Sequence, residues 1–94
     1  VGDKHLVLVI YDVSNTKTRK RLVNLLESYG QRVQKSAFEC FLEASLYKKL
    51  CQIAPNYIDC KTDSLRIYRL RGITDVRQWG KMLSYVDDKP FDIF

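Results

Sequence analysis

No apolar run in this 94-residue chain exceeds six residues, far short of the roughly 18 that a membrane span needs. Its N-terminus shows no basic segment leading into an apolar core and a cleavage site, so no secretory signal is visible. The three cysteines, Cys40, Cys51 and Cys60, form no close pair and lack metal-ligand spacing. They read as small apolar residues of a reducing compartment, and a cytoplasmic protein of bacterial or archaeal origin is expected. Histidine occurs once, at His5, ahead of the first predicted strand. No Ser/His/Asp or Cys/His set can be built around it, so a surface or strand-edge place is expected for it. Repeats, low-complexity runs and linkers are absent too. What remains is a single modest domain in which any hydrolysis would rest on a metal ion and water rather than on a side-chain base.

The charge, by contrast, is concentrated. Of a net +5, all is carried by residues 17 to 35, which hold Lys17, Arg19, Lys20, Arg21, Arg32 and Lys35 against the single acid Glu27. The rest of the chain is balanced, with ten bases and ten acids. Anionic partners follow, nucleic acid first and a membrane surface second. A cluster of this kind at a helix start also serves, in many proteins, as no more than a solvated face.

The apolar run Leu6 to Tyr11 suits a strand buried on both faces, and it ends abruptly on Asp12. A carboxylate at the carboxyl end of such a strand lies at the mouth of the sheet, where α/β folds tend to place their chemistry. Asn15 or Thr16 can cap the helix that follows, whose stripe is Leu22, Leu25, Leu26 and Tyr29, with Gly30 as its stop and Lys17 and Lys20 turned to solvent. Arg32 to Gln34 and Ala37 to Leu42 are two short strands joined around Lys35-Ser36, or one bent strand. In the second, Phe38, Cys40 and Leu42 share a face, with Glu39 opposite. Ser45 starts a second helix with Leu46, Leu50, Ile53 and Ala54 on one side, and Pro55 kinks or restarts it. Leu65 to Leu70 is a further strand, closed by Gly72. The order β-α-β-β-α-β predicts an α+β ferredoxin-like sandwich with both helices on one face of an antiparallel sheet. One domain over 1–94 is expected, with a core of about 1–72 and an extension over 73–94. Met82 to Val86 could add a short strand, Asp87 to Pro90 a turn, and Phe91 to Phe94 a sticky end suited to a sheet edge.

Several linked motifs carry a resemblance. Tyr11-Asp12 closes the first strand and Arg19-Lys20-Arg21 opens the helix. Tyr29-Gly30-Gln31-Arg32-Val33-Gln34-Lys35-Ser36-Ala37-Phe38-Glu39 follows, and Ser64-Leu65-Arg66-Ile67-Tyr68-Arg69-Leu70 comes later. Over roughly residues 6 to 72 these resemble the second core CRISPR-associated protein family, the small subunit of the spacer-acquisition machinery. The resemblance implies a ferredoxin-like homodimer whose C-terminal segment reaches the other subunit. It also implies a complex with the integrase subunit across a double-stranded DNA prespacer. Some members are described as Mg²⁺-dependent endonucleases on single-stranded RNA or double-stranded DNA, others as scaffolds. Carried over, Asp12 matches the metal-site and catalytic acid, and Tyr11, Arg19, Arg21, Arg32 and Phe38 match positions tied to activity or nucleic-acid contact. Ala37 is a minor departure from the residues relatives carry there.

One carboxylate is a poor Mg²⁺ site, since the ion prefers six oxygens and keeps several waters. Two copies of Asp12 facing each other across a two-fold axis would change that by sharing one ion. The plain alternative is an aspartate that makes a turn or caps the helix. Arg19, Arg21 and Arg32 have the planar fork suited to phosphate, and Arg66, Arg69, Arg71 and Arg77 are weaker candidates for a second stripe. Tyr11 and Phe38 suit a core or an interface better than a stacking platform. An RNA-recognition module shares the fold, but its glycine-flanked aromatic strand is missing here. A toxin-type ribonuclease of similar fold would share the Asp12 site, and a metabolite-binding regulatory domain sits badly with the basic window.

Overall fold

A computed structural model describes residues 3–72 and 75–80. Its elements run β1 (His5–Asp12), α1 (Thr16–Glu27), β2 (Gln31–Gln34), β3 (Ala37–Leu42), α2 (Ala44–Ile53), a single 3₁₀ turn (Ala54–Tyr57) and β4 (Ser64–Leu70). The four strands form one sheet in the order β2-β3-β1-β4. β1 pairs antiparallel with β3 and with β4, and β2 antiparallel with β3. This is the ferredoxin-like arrangement expected from the element order. The expected extension, strand and sticky end beyond Gly80 lie outside the described residues.

Alternation fixes which face meets the helices. Val7, Val9 and Tyr11 of β1 stand beside Phe38, Cys40 and Leu42 of β3, all at most 3% exposed. They pack on Leu22, Val23 and Leu26 of α1, with Leu50 and Ala54 beyond them. The other face of β1 stays partly open: Leu8 is half-buried and Ile10 is 39% exposed. The expectation of a strand buried on both faces is therefore corrected. An antiparallel sheet with both helices on one side leaves its second face uncovered by them, and an all-apolar run cannot announce that.

Three local readings shift as well. Asn15 is the α1 cap, its Oδ1 accepting the Thr18 N–H at 2.9 Å, and the helix ends at Ser28. Gly30 is then no helix stop. It sits where β2 crosses close to β3, and a Cβ there would fall 2.3 Å from the Glu39 carbonyl oxygen. α2 begins at Ala44 rather than Ser45, capped by Glu43 without a side-chain bond. Leu46 is 43% exposed and does not join Leu50 in the core. Pro55 does restart the chain, in the first turn of the 3₁₀ segment.

Candidate nucleic-acid and metal site

Strand direction brings the basic window together. β1 and β2 run parallel with β3 between them, so the end of β1, the start of α1 and the β2–β3 turn all lie at one end of the sheet. The start of β4 joins them, because Asp12 pairs with Ser64.

Asp12 is exposed at this mouth. Neither plain alternative applies to it: Asn15 caps the helix, and the Ser14 N–H is taken by Asp63 Oδ1 at 3.4 Å. Tyr11 beside it points the opposite way, into the core. Its hydroxyl donates to the Lys35 carbonyl at 3.1 Å, and its N–H donates to the Ser36 carbonyl at 3.1 Å. Burial raises the Tyr11 hydroxyl above its ordinary value of 10.0, opposed by the Arg32 and Arg19 guanidiniums nearby. Tyr11 and Phe38 lie with ring centroids 6.3 Å apart, and both are at most 2% exposed. Neither ring offers an open face to a base, so any influence on nucleic acid passes through packing.

The three arginines part company. Arg32 is only 8% exposed and donates through Nε and Nη2 to the Lys35 carbonyl, the same oxygen that Tyr11 uses. Arg19 is half-buried and bends back over the β1–α1 loop, donating to the Val13 carbonyl at 2.7 Å. Arg21 is exposed and lies over the Tyr57 ring, 5.4 Å from its centroid. With Arg21, the exposed basic side chains at this end are Lys17, Lys20 and Lys35. The bend of Arg19 and the burial of Arg32 had no signal in sequence, since charge type does not reveal which carbonyls lie within reach. Of the later arginines, Arg66 is exposed and donates to the Tyr68 hydroxyl at 2.9 Å. Arg69 lies over Tyr47 and reaches His5 Nδ1 at 3.5 Å, which places His5 at the start of β1, at the opposite end from Asp12.

Sequence reasoning passed over Asp63. Its carboxylate accepts the Asp59 N–H at 2.9 Å as well as the Ser14 N–H, and so ties the loop before β4 to the loop after β1. The Asp59 N–H, with Ser14 and Thr62 behind it, holds the Asp63 carboxyl below its ordinary value of 3.8.

Among the described residues no group of three or more His, Cys, Asp or Glu side chains gathers to hold a metal ion. A single Asp12 carboxylate offers a Mg²⁺ ion one or two of about six oxygens. One chain thus fits only an ion that keeps most of its water or takes further ligands from a second copy. No helix among the described residues is long and apolar enough to cross a membrane.

Against known proteins, the family described as CRISPR associated protein Cas2 matches residues 5–82. The chain is 44% identical over 79 residues to the "CRISPR-associated endonuclease Cas2 2" of Thermus thermophilus, covering 84% of this chain and 88% of that protein. It is 43% identical over 79 residues to the "CRISPR-associated endoribonuclease Cas2" of Mycobacterium tuberculosis, covering 83% and 68%. Its fold is similar to that of Streptococcus pyogenes Cas2, with a TM-score of 0.64, 34% identity and coverage of 77% of this chain and 99% of that one. It is similar also to a chain of a structure described as a partial Cas6-RT-Cas1–Cas2 complex, with a TM-score of 0.52, 35% identity and coverage of 72% and 80%.

Proposed function

Because the chain belongs to the CRISPR-associated Cas2 family, we propose that it is the small duplex-binding subunit of a spacer-acquisition complex, working as a homodimer beside a Cas1-type integrase. The observation that carries this reading is the set of exposed bases Lys17, Lys20, Arg21 and Lys35 around one end of the sheet. Long flexible cations on a rigid helix start meet the regular phosphates of a duplex without reading base edges, so binding is positional rather than sequence-specific. The likeness to a chain in a Cas1–Cas2 assembly supports the integrase partner. The open sheet face supports a second copy: it exposes Ile10 and Phe41 (60%), with Trp79 (78%) nearby, and such a patch is better covered.

A second reading, metal-dependent endonuclease action on RNA or DNA, is favoured by Asp12, which is exposed at the sheet mouth and neither caps α1 nor makes the turn. Two such carboxylates from two copies would hold a Mg²⁺ ion, which when bound lowers the pKa of a water and stabilises charge on a phosphate. The names of the curated relatives support this reading.

Duplex binding titrated across NaCl concentrations tests the primary reading. Affinity should fall steeply with salt and vary little among duplexes of equal length. Lys17→Ala and Arg21→Ala should each lower the salt slope by about 0.9. Strong discrimination between such duplexes, or a flat salt response, would overturn it. In solution, a particle of about 22 kDa, twice the 11.0 kDa chain, is expected. A monomer at tens of micromolar would remove the homodimer.

A further inference from the structure

The loop from Asp12 into α1 is gripped through its backbone from two sides. Arg19 donates through Nη1 to the carbonyls of Val13 at 2.7 Å and Ser14 at 3.3 Å, and through Nη2 to Thr16 Oγ1 at 3.3 Å. Opposite, Asp63 accepts the Ser14 N–H from 49 residues along the chain. Asp63 is itself fixed, Oδ2 taking the Asp59 N–H at 2.9 Å and Oδ1 the Thr62 hydroxyl at 3.2 Å. It also precedes Ser64, the register partner of Asp12. Ser14, two residues beyond Asp12, is therefore held at both its N–H and its carbonyl. A guanidinium committed to two carbonyls and a hydroxyl has little left for a phosphate, and an anionic Asp63 would repel one.

We propose that Arg19 and Asp63 are positioning residues for Asp12, clamping the β1–α1 loop through its backbone without touching nucleic acid. For its metal arm the proposal rests on the reading of Asp12 as a cation-binding group; the clamp itself is read separately. The clamp requires the fork of arginine, because a lysine ammonium cannot span both carbonyls and Thr16 in one planar geometry. Charge alone will not replace it. A phosphate contact would behave in the opposite way, since lysine keeps its attraction.

The test uses the full chain with Arg19→Lys, Arg19→Ala and Asp63→Asn, each shown by circular dichroism to keep its secondary structure. Three quantities are read: the salt slope of duplex binding, the exchange rate of the Ser14 amide, and affinity for Mn²⁺ alone by calorimetry. All three variants should keep the wild-type slope, whereas Lys17→Ala lowers it by about 0.9. Ser14 exchange should quicken in all three, with Arg19→Lys no better than Arg19→Ala. Mn²⁺ affinity should fall by roughly 10-fold or more, the usual result of removing a partner that orients a ligand. A lowered slope in Arg19→Ala, with rescue by Arg19→Lys, would make Arg19 a phosphate contact and overturn the proposal. Wild-type exchange at Ser14 in Asp63→Asn would overturn the clamp. If the wild-type chain binds no Mn²⁺, the metal reading of Asp12 fails, and slope and exchange decide the clamp by themselves. Should Arg19→Ala not fold, Arg19→Lys and Asp63→Asn decide between clamp and phosphate contact on the same quantities.

Discussion

Replacing Gly30 with alanine should lower the unfolding temperature sharply, although the residue lies in no catalytic or binding group. The added Cβ would lie 2.3 Å from the Glu39 carbonyl oxygen, 2.5 Å from Cys40 Sγ and 2.8 Å from Cys40 Cα. Two of these atoms are backbone of β3, which is paired on both sides: Cys40 with Val7, and Glu39 with Leu8 and Gln31. The clash cannot be relieved by turning a side chain, so it must displace an inner strand. Overpacking of this kind costs about 1–3 kcal/mol, and the upper end applies where backbone must move. Restricting the unfolded chain returns about 0.4–1 kcal/mol. A net loss of about 2 kcal/mol corresponds to a fall of roughly 8–16 °C for a domain of this size. Gly72→Ala is the comparison. There nothing lies within 4 Å, but φ is +76°, so only the left-handed strain of about 1 kcal/mol applies. Thermal melts should be run at one fixed protein concentration, because the melting point of a dimer moves with concentration. An unchanged or raised melting point for Gly30→Ala, or a larger loss at Gly72, would refute the close-approach argument.

Other consequences follow from the same packing. Tyr11→Phe removes the 3.1 Å bond to the Lys35 carbonyl but leaves Arg32 on that oxygen; it should cost about 0.5–1.5 kcal/mol in urea unfolding and leave duplex affinity unchanged. Thiol alkylation followed by mass spectrometry should label exposed Cys60 first and leave Cys40 untouched until denaturant is added, because burial pushes the Cys40 thiol up to about 11. Asp63 titrates below 3.8 in the folded chain, so its contribution to stability is complete above that value and fades as pH falls through the lower, folded one. Asp63→Asn should therefore flatten the loss of melting temperature on acidification below about pH 4. An acid limb as steep as that of wild type would refute this.

The element order was legible because each segment carries its own period. The alternating Phe38-Cys40-Leu42 face and the Leu22-Leu26 stripe need no tertiary knowledge to be read. Leu8 and Ile10 misled because an apolar run looks the same whether its second face meets a helix or is left open by the helices. Gly30 misled for a related reason: helix stop and close approach both call for glycine, and only the position of β3 separates them. In the candidate site, Asp12, Lys17 and Arg21 could be found from charge and spacing alone. Asp63 could not, because its role lies in a bond to a loop 49 residues away. Charge type marks Arg32 as a surface cation, yet the Lys35 carbonyl that Tyr11 also uses draws it inward, and that oxygen belongs to the backbone.

Reconstituted spacer acquisition with the Cas1 of the same cell tests the central claim most directly, comparing the wild-type chain, Asp12→Asn and the pair Lys17→Ala with Arg21→Ala. Duplex binding as the primary role predicts that acquisition depends on this chain, survives Asp12→Asn at the wild-type level and collapses in the double lysine–arginine variant. Acquisition that proceeds without the chain, or that is lost in Asp12→Asn while duplex binding persists, would contradict the account and make Asp12 chemistry the primary function.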